Sequence, residues 1–199
     1  MKKLLMLGCV ILMQSVLGQS EQEVAARSCH ESLNAYYANE ESSPLKEKDF
    51  KTFQSLDFFD WDAGYVVTAS LVRTPNEKPF EMPTTTSRKP LYVKYGELLF
   101  MLDGKECQLN VYQNIEFSKR PGYANQLFLP FTDLTSGDTT YGGGRYLDVS
   151  IPEGDTVVLN FHCAYNPLCA YNEKYSCPIV PAENDLPVAV RAGVKAFQK

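Results

Sequence analysis

The sequence predicts a mainly β domain, an antiparallel sandwich or partly open barrel, with two short N-terminal helices. Three observations lead there. Short runs rich in β-branched, aromatic and aliphatic residues recur between residues 65 and 190. Turn signals separate them: Pro121-Gly122, Ser136-Gly137-Asp138, the glycines at 142–144, and Glu153-Gly154-Asp155. Many short strands with frequent turns belong to sandwiches and barrels. No strand–helix–strand alternation appears, which argues against a Rossmann-type nucleotide domain.

Taken in order, residues 21–39 set Ala26, Cys29, Leu33, Tyr36 and Tyr37 at steps of three and four, the period of an amphipathic helix. Ser43-Pro44 opens a second, shorter helix, since proline is tolerated at a first helical position. Phe50, Phe53 and Leu56 form its buried side. Phe58, Phe59 and Trp61 then lead into the main body. Strands are expected at 65–72, 98–102, 108–112, 127–131, 145–151, 156–161 and 187–190. Asp103-Gly104, between the second and third of these, calls for a tight type I′ hairpin.

The first residues, Met1-Lys2-Lys3, precede an apolar run at 4–13 and then Gln14-Ser15-Val16-Leu17-Gly18. A cationic start, an apolar stretch of about ten residues and a small residue before the cut make a secretory signal. The run is too short to span a bilayer, which takes about 20 apolar residues. Cleavage is expected after Gly18, ahead of Ser20. Leu7-Gly8-Cys9 resembles a lipobox, but too few apolar residues precede Cys9. The expected organisation is a cleaved signal peptide at 1–18, a helical segment at 19–43 and a single β-rich domain at 44–199, in a periplasmic or secreted protein whose mature chain has no transmembrane span. Removing Lys2 and Lys3 from 19 Lys and Arg leaves 17 against 24 Asp and Glu. An acidic domain without a basic cluster is a poor nucleic-acid binder.

Five of the six cysteines lie beyond residue 18: Cys29, Cys107, Cys163, Cys169 and Cys177. Export favours disulfides with one thiol left over. Three of the five fall in residues 162–193, where Cys163-Ala164-Tyr165-Asn166 is repeated as Cys169-Ala170-Tyr171-Asn172. No helix or strand period runs through this segment. Such a loop needs cross-links and side-chain hydrogen bonds, and loops of this kind often carry function.

A series of uncommon motifs follows in order: Phe131-Thr132-Asp133, Thr140-Tyr141-Gly142, Gly144-Arg145-Tyr146, Ala164-Tyr165-Asn166-Pro167, Cys169-Ala170, Cys177-Pro178, Glu183-Asn184 and Ala192-Gly193. With them the chain closely resembles the bacterial and archaeal domain-of-unknown-function family 1684, from about Pro44 to Phe197. The resemblance implies a compact branch, with two helices in place of a larger N-terminal β module, and it implies no activity. Family members read Asp-Phe-Asn and a basic residue where this chain has Asn160, Phe161, His162 and Cys163, so His162 and Cys163 are not family-wide catalytic groups. Relatives without export signals keep counterparts of Cys169 and Cys177, which implies a reactive or ligating role for that pair elsewhere.

Histidine is confined to His30 and His162. On a strand end His162 and Cys163 point to opposite faces, which disfavours a nucleophile–base dyad. The spacings of Cys163, Cys169 and Cys177 do not match zinc pairs, so neither metal nor cofactor is expected. In an exported chain the expected bridge is Cys169–Cys177, with the pairing of Cys29, Cys107 and Cys163 left open. The glycines at 142–144 precede a strand, not a helix, so they make a turn and not a phosphate cradle. Arg145 either presents its guanidinium to an anion or forms a buried ion pair with Asp133 or Glu183.

Asp133, Tyr141, Arg145, Tyr165, Asn166, Glu183 and Asn184 are expected to converge, because two irregular polar segments must satisfy one another. Two functions fit such a cluster. One is an exported domain binding a small polar or anionic ligand or an envelope component. The other is a hydrolase or lyase using the carboxylates of Asp133 and Glu183 as an acid–base pair, with Arg145 steering charge.

Overall fold

The computed structural model describes residues 20–198; the expected signal peptide, its cleavage site and Cys9 lie outside them. Ser20 caps the first helix, α1 (Glu21–Ala38), by accepting a hydrogen bond from Glu23 N at 3.1 Å. Ala26 and Tyr37 are its buried residues, and Tyr36 stays exposed. The second helix, α2 (Glu47–Phe50), is a single turn that starts beyond Pro44, with no side-chain cap at Lys46. Leu45 and Leu56 are buried around it, with Phe50 and Phe53 packed alongside. Among the described residues no helix is long and apolar enough to cross a membrane.

Seven strands follow: β1 (Val66–Arg73), β2 (Phe80–Glu81), β3 (Leu91–Leu102), β4 (Lys105–Asn114), β5 (Gln126–Phe131), β6 (Arg145–Ser150) and β7 (Thr156–Asn160). All belong to one curled antiparallel sheet, a half-barrel ordered β6-β5-β4-β3-β1-β7 with β2 against β3. Asp103 (φ 50°) and Gly104 (φ 71°) join β3 to β4 with both central residues at positive φ, as a type I′ turn requires.

No second sheet completes a sandwich among the described residues. Its place is taken by the C-terminal segment. Leu186, Val188, Val190 and Ala192 pack with Leu98, Leu109, Leu129, Leu159 and Phe161 in the main core. Residues 187–190, expected as a strand, bend at Pro187 and Val188 and join no ladder. Only an isolated parallel bridge, Thr132 to Asp185, ties the segment's start to the end of β5.

The alternation of the strands gives the sheet a second apolar face. Met82, Tyr92 and Tyr112 are buried there, with Phe80 and Phe128 beside them. Over this face lie the end of α1 and the irregular loop after β7. A disulfide joins Cys29 of α1 to Cys163 in the 3₁₀ turn Phe161–Cys163. His30 Nε2 lies 2.8 Å from the His162 carbonyl, and its ring stacks on Phe58 at 3.8 Å. The open question among Cys29, Cys107 and Cys163 is thereby answered, and Cys107 is a buried thiol.

Candidate functional site

Arg145 opens β6 directly after Gly144, whose φ of 84° suits glycine. A Cβ there would stand 2.5 Å from the Phe131 carbonyl, so the turn also needs glycine for space. The Arg145 guanidinium is wholly buried and pairs with Asp133 at 2.9 Å. Both terminal nitrogens also donate to the C-terminal segment, Nη2 to the Val190 carbonyl at 2.8 Å and Nη1 to the carbonyls of Ala192 and Val194, while the buried Nε has no hydrogen-bond partner among the described residues. Asp133 Oδ1 accepts from Thr135 N, Thr135 Oγ1 and Val190 N. This is the buried ion pair, and it serves as a clasp: it satisfies the backbone of a segment that has no neighbouring strand.

The seven residues expected to converge therefore do not make one site. Asp133 and Arg145 are internal. Asn184 is fully buried, accepting from Asn110 N at 2.8 Å and donating to the carbonyls of Asn110 and Pro130. Asn166 is likewise an internal brace, donating to Tyr171 Oη at 3.2 Å and the Lys195 carbonyl at 3.0 Å. Glu183 is exposed on the 3₁₀ turn Ala182–Asn184. With every oxygen of Asp133 occupied and Glu183 outside, the proposed acid–base pair is not assembled, because a general base must reach its proton. Tyr141 is half-buried, its hydroxyl 3.9 Å from Cys169 Sγ.

Only Tyr165 faces a cavity. Its backbone pairs with Tyr146 in both directions, at 2.8 and 2.9 Å, and its hydroxyl donates to Asp148 Oδ2 at 3.1 Å. Tyr146 and Asp148 project from β6 on the side opposite Leu147 and Val149. They help to wall a space of about 500 Å³, within the range of small-molecule sites. Tyr92, Phe128, Tyr146 and Tyr165 supply its depth, while Tyr36 of α1 and Tyr123, both about 40% exposed, stand at its rim. Arg88 and Ser176 form another part of the wall. Arg88 is held by bonds from its Nε to Ser176 Oγ at 3.1 Å and from Nη2 to the Ser176 carbonyl at 2.8 Å.

The carboxylate of Asp148 opens into the cavity yet is crowded by protein. That crowding raises its pKa, against hydrogen bonds from Gln126 and Tyr165 that favour the charged form. Reading residues 145–150 for the face opposite the core would have found Tyr146 and Asp148. The glycine–arginine motif drew attention to the inward residue instead.

His162 is buried, with Nε2 2.9 Å from the Asp62 carbonyl, and Cys163 is committed to Cys29. No dyad and no Cys163-Cys169-Cys177 ligand set can form from them. Among the described residues no three of His, Cys, Asp and Glu gather into a metal-holding group. Cys169 and Cys177, expected as a bridge, are instead free thiols, with Cys169 N donating to Cys177 Sγ at 3.2 Å.

The family model described as a protein of unknown function (DUF1684) matches residues 51–195, so the chain belongs to this family. A solution NMR structure of an uncharacterized protein from Haloarcula marismortui is similar, with 30% identity, a TM-score of 0.68, and 87% of this chain and 93% of that one covered. The comparison with curated proteins returns no match.

Proposed function

We propose that this DUF1684 member is an exported binding domain for a small, ring-bearing polar molecule. The observation that carries the reading is the aromatic cavity with one carboxylate inside it. Tyrosine and phenylalanine faces suit the body of a ring, and hydroxyl tips suit its substituents. Asp148, which the Tyr165 hydroxyl holds in the cavity wall, would accept hydrogen bonds from the ligand. Arg88, also in the wall, would meet an acceptor or anionic group, consistent with a small polar or anionic metabolite or a fragment of an envelope component.

A screen of sugars, aromatic acids and cyclic amines by thermal shift, repeated on Asp148→Asn, tests this. At a concentration a hundredfold above Kd a ligand should stabilise the wild type by about 2.7 kcal/mol, and Asp148→Asn should lose that shift. Because the folded pKa of Asp148 is raised, its contribution to stability is full below the unfolded pKa and is lost as pH rises through the folded one. The unliganded Asn variant should therefore melt no lower than wild type at neutral pH. An equal ligand shift in both proteins would sink the assignment.

Export is supported by the N-terminal sequence and by the Cys29–Cys163 bridge, which suits an oxidising compartment. An intact mass starting at Gln19 is expected for the exported protein; retention of Met1 would contradict it.

A further inference from the structure

Neither Cys169 nor Cys177 has a role in the reading above. Cys169 lies in the 3₁₀ turn Leu168–Ala170 and is partly open to solvent. Cys177 is 5% exposed. The hydrogen bond from Cys169 N to Cys177 Sγ brings the second sulfur against the backbone of the first residue. Cys177 is fixed in turn by Thr85, whose N donates to the Cys177 carbonyl at 2.9 Å and whose Oγ1 accepts from Cys177 N at 3.1 Å. One thiol is thus reachable and the other is held behind it.

We propose that Cys169 and Cys177 are a thiol–disulfide exchange couple, with Cys169 the attacking and Cys177 the resolving sulfur. The electrostatics agree with the geometry. The hydrogen bond from the Cys177 thiol holds Cys169 down to about 6, with Tyr141 assisting, and the same contact pushes Cys177 up. At neutral pH the reachable sulfur is the thiolate, the form that attacks.

The co-reactant is the disulfide of a small thiol, R–S–S–R. The Cys169 thiolate bonds to one of its sulfurs, the S–S bond breaks, and R–S⁻ leaves. Cys177 then gives its proton to solvent and attacks Cys169 Sγ. A second R–S⁻ leaves, and the Cys169–Cys177 bridge remains. Two electrons pass from the protein pair to the external disulfide, and an excess of R–SH runs the sequence backwards. The bridge anticipated from the sequence is then the oxidised state of the couple, separate from Cys29–Cys163.

Incubation of the full chain with glutathione disulfide at neutral pH, followed by non-reducing peptide mapping, tests the couple. Wild type should finish with Cys169 bridged to Cys177 and no glutathione retained. Cys177→Ser should keep glutathione on Cys169, and Cys169→Ser should take none at Cys177. Alkylation of unmodified wild type by iodoacetamide supplies a test that needs no variant to fold. Cys169 should react with a midpoint near its pKa of about 6, and at least about tenfold faster than Cys177 at neutral pH. A midpoint near the ordinary thiol value of about 8.5, glutathione resting on wild-type Cys169 without a bridge, or capture at Cys177 in Cys169→Ser would overturn the proposal.

Discussion

Replacing Cys29 and Cys163 with serine is expected to destabilise the protein by about 2–5 kcal/mol. The bridge joins residues 134 apart in sequence, and a loop of that length corresponds to about 5 kcal/mol of chain entropy removed from the unfolded state. What remains to hold α1 is limited. Asn160 Nδ2 donates to the Gln22 carbonyl at 2.8 Å, Leu56 N donates to Asn34 Oδ1 at 2.8 Å, His30 bonds the His162 carbonyl, and only Ala26 and Tyr37 are buried on the helix. The loss should therefore appear first as faster amide exchange across residues 21–38, ahead of the sheet. It should also weaken cavity binding, because Leu33, Tyr36 and Tyr37 of α1 belong to the cavity wall.

The same contact is sensitive to acid. Burial lowers the pKa of both His30 and His162 below 6.5, against hydrogen bonds to backbone carbonyls that favour protonation. Their contribution to stability is thus full above the unfolded pKa and is lost as pH falls through the folded values. In the serine variant, the protection of α1 amides relative to their intrinsic exchange rates should fall further on acidification. Urea curves of the two proteins, with Cys169 and Cys177 alkylated in both, isolate the bridge. A difference under about 1 kcal/mol would contradict the loop-entropy argument.

Much of the sheet was legible because its signals are local. A β-branched run marked β1, short apolar runs between turn signals marked β5, β6 and β7, and Asp103-Gly104 marked the β3–β4 hairpin. The first half of β3 was not legible. A register shift between Lys94 and Gly96 breaks its period of two, and Lys94 and Glu97, paired at 2.6 Å, read as surface residues. The segment at 187–190 misled in the opposite sense. Its composition is that of a strand, but in place of a neighbouring ladder its backbone is met by side chains and by a single backbone bond, from Leu134 N to the Val188 carbonyl at 3.1 Å. The site was legible only in part. The irregular loop stood out in the sequence, and Tyr165 within it lines the cavity. Arg145, Asp133 and Asn184 were read as one polar cluster because the sequence shows polarity without direction. Which face a side chain takes, and which cysteines meet across 134 residues, are properties of the assembled sheet.

The clasp at Arg145 leads to the second large effect. Arg145→Met, nearly matched in length, is expected to destabilise the protein by about 3–5 kcal/mol, the range for stranding one partner of a buried ion pair. That corresponds to roughly 6–20 °C in Tm for a domain of this size. Removing Asp133 as well separates two explanations. If the ion pair alone mattered, Arg145→Met with Asp133→Leu would return close to wild type, since apolar replacement of a whole buried pair is often neutral or better. The clasp predicts otherwise. The carbonyls of Val190 and Ala192 would still lack their donor, and Val190 N and Thr135 would lose their acceptor. Each such buried orphan costs about 1–3 kcal/mol, so the double variant should remain well below wild type.

Arg145→Lys should fall between wild type and Arg145→Met, since a single ammonium keeps the charge but cannot place a planar fork across two carbonyls and a carboxylate. None of these changes touches the cavity wall, so ligand affinity per folded molecule should be unchanged. Calorimetry for stability and titration of a cavity ligand provide the two readouts. Loss of binding in Arg145→Lys with Tm unchanged would return Arg145 to the role of an anion site.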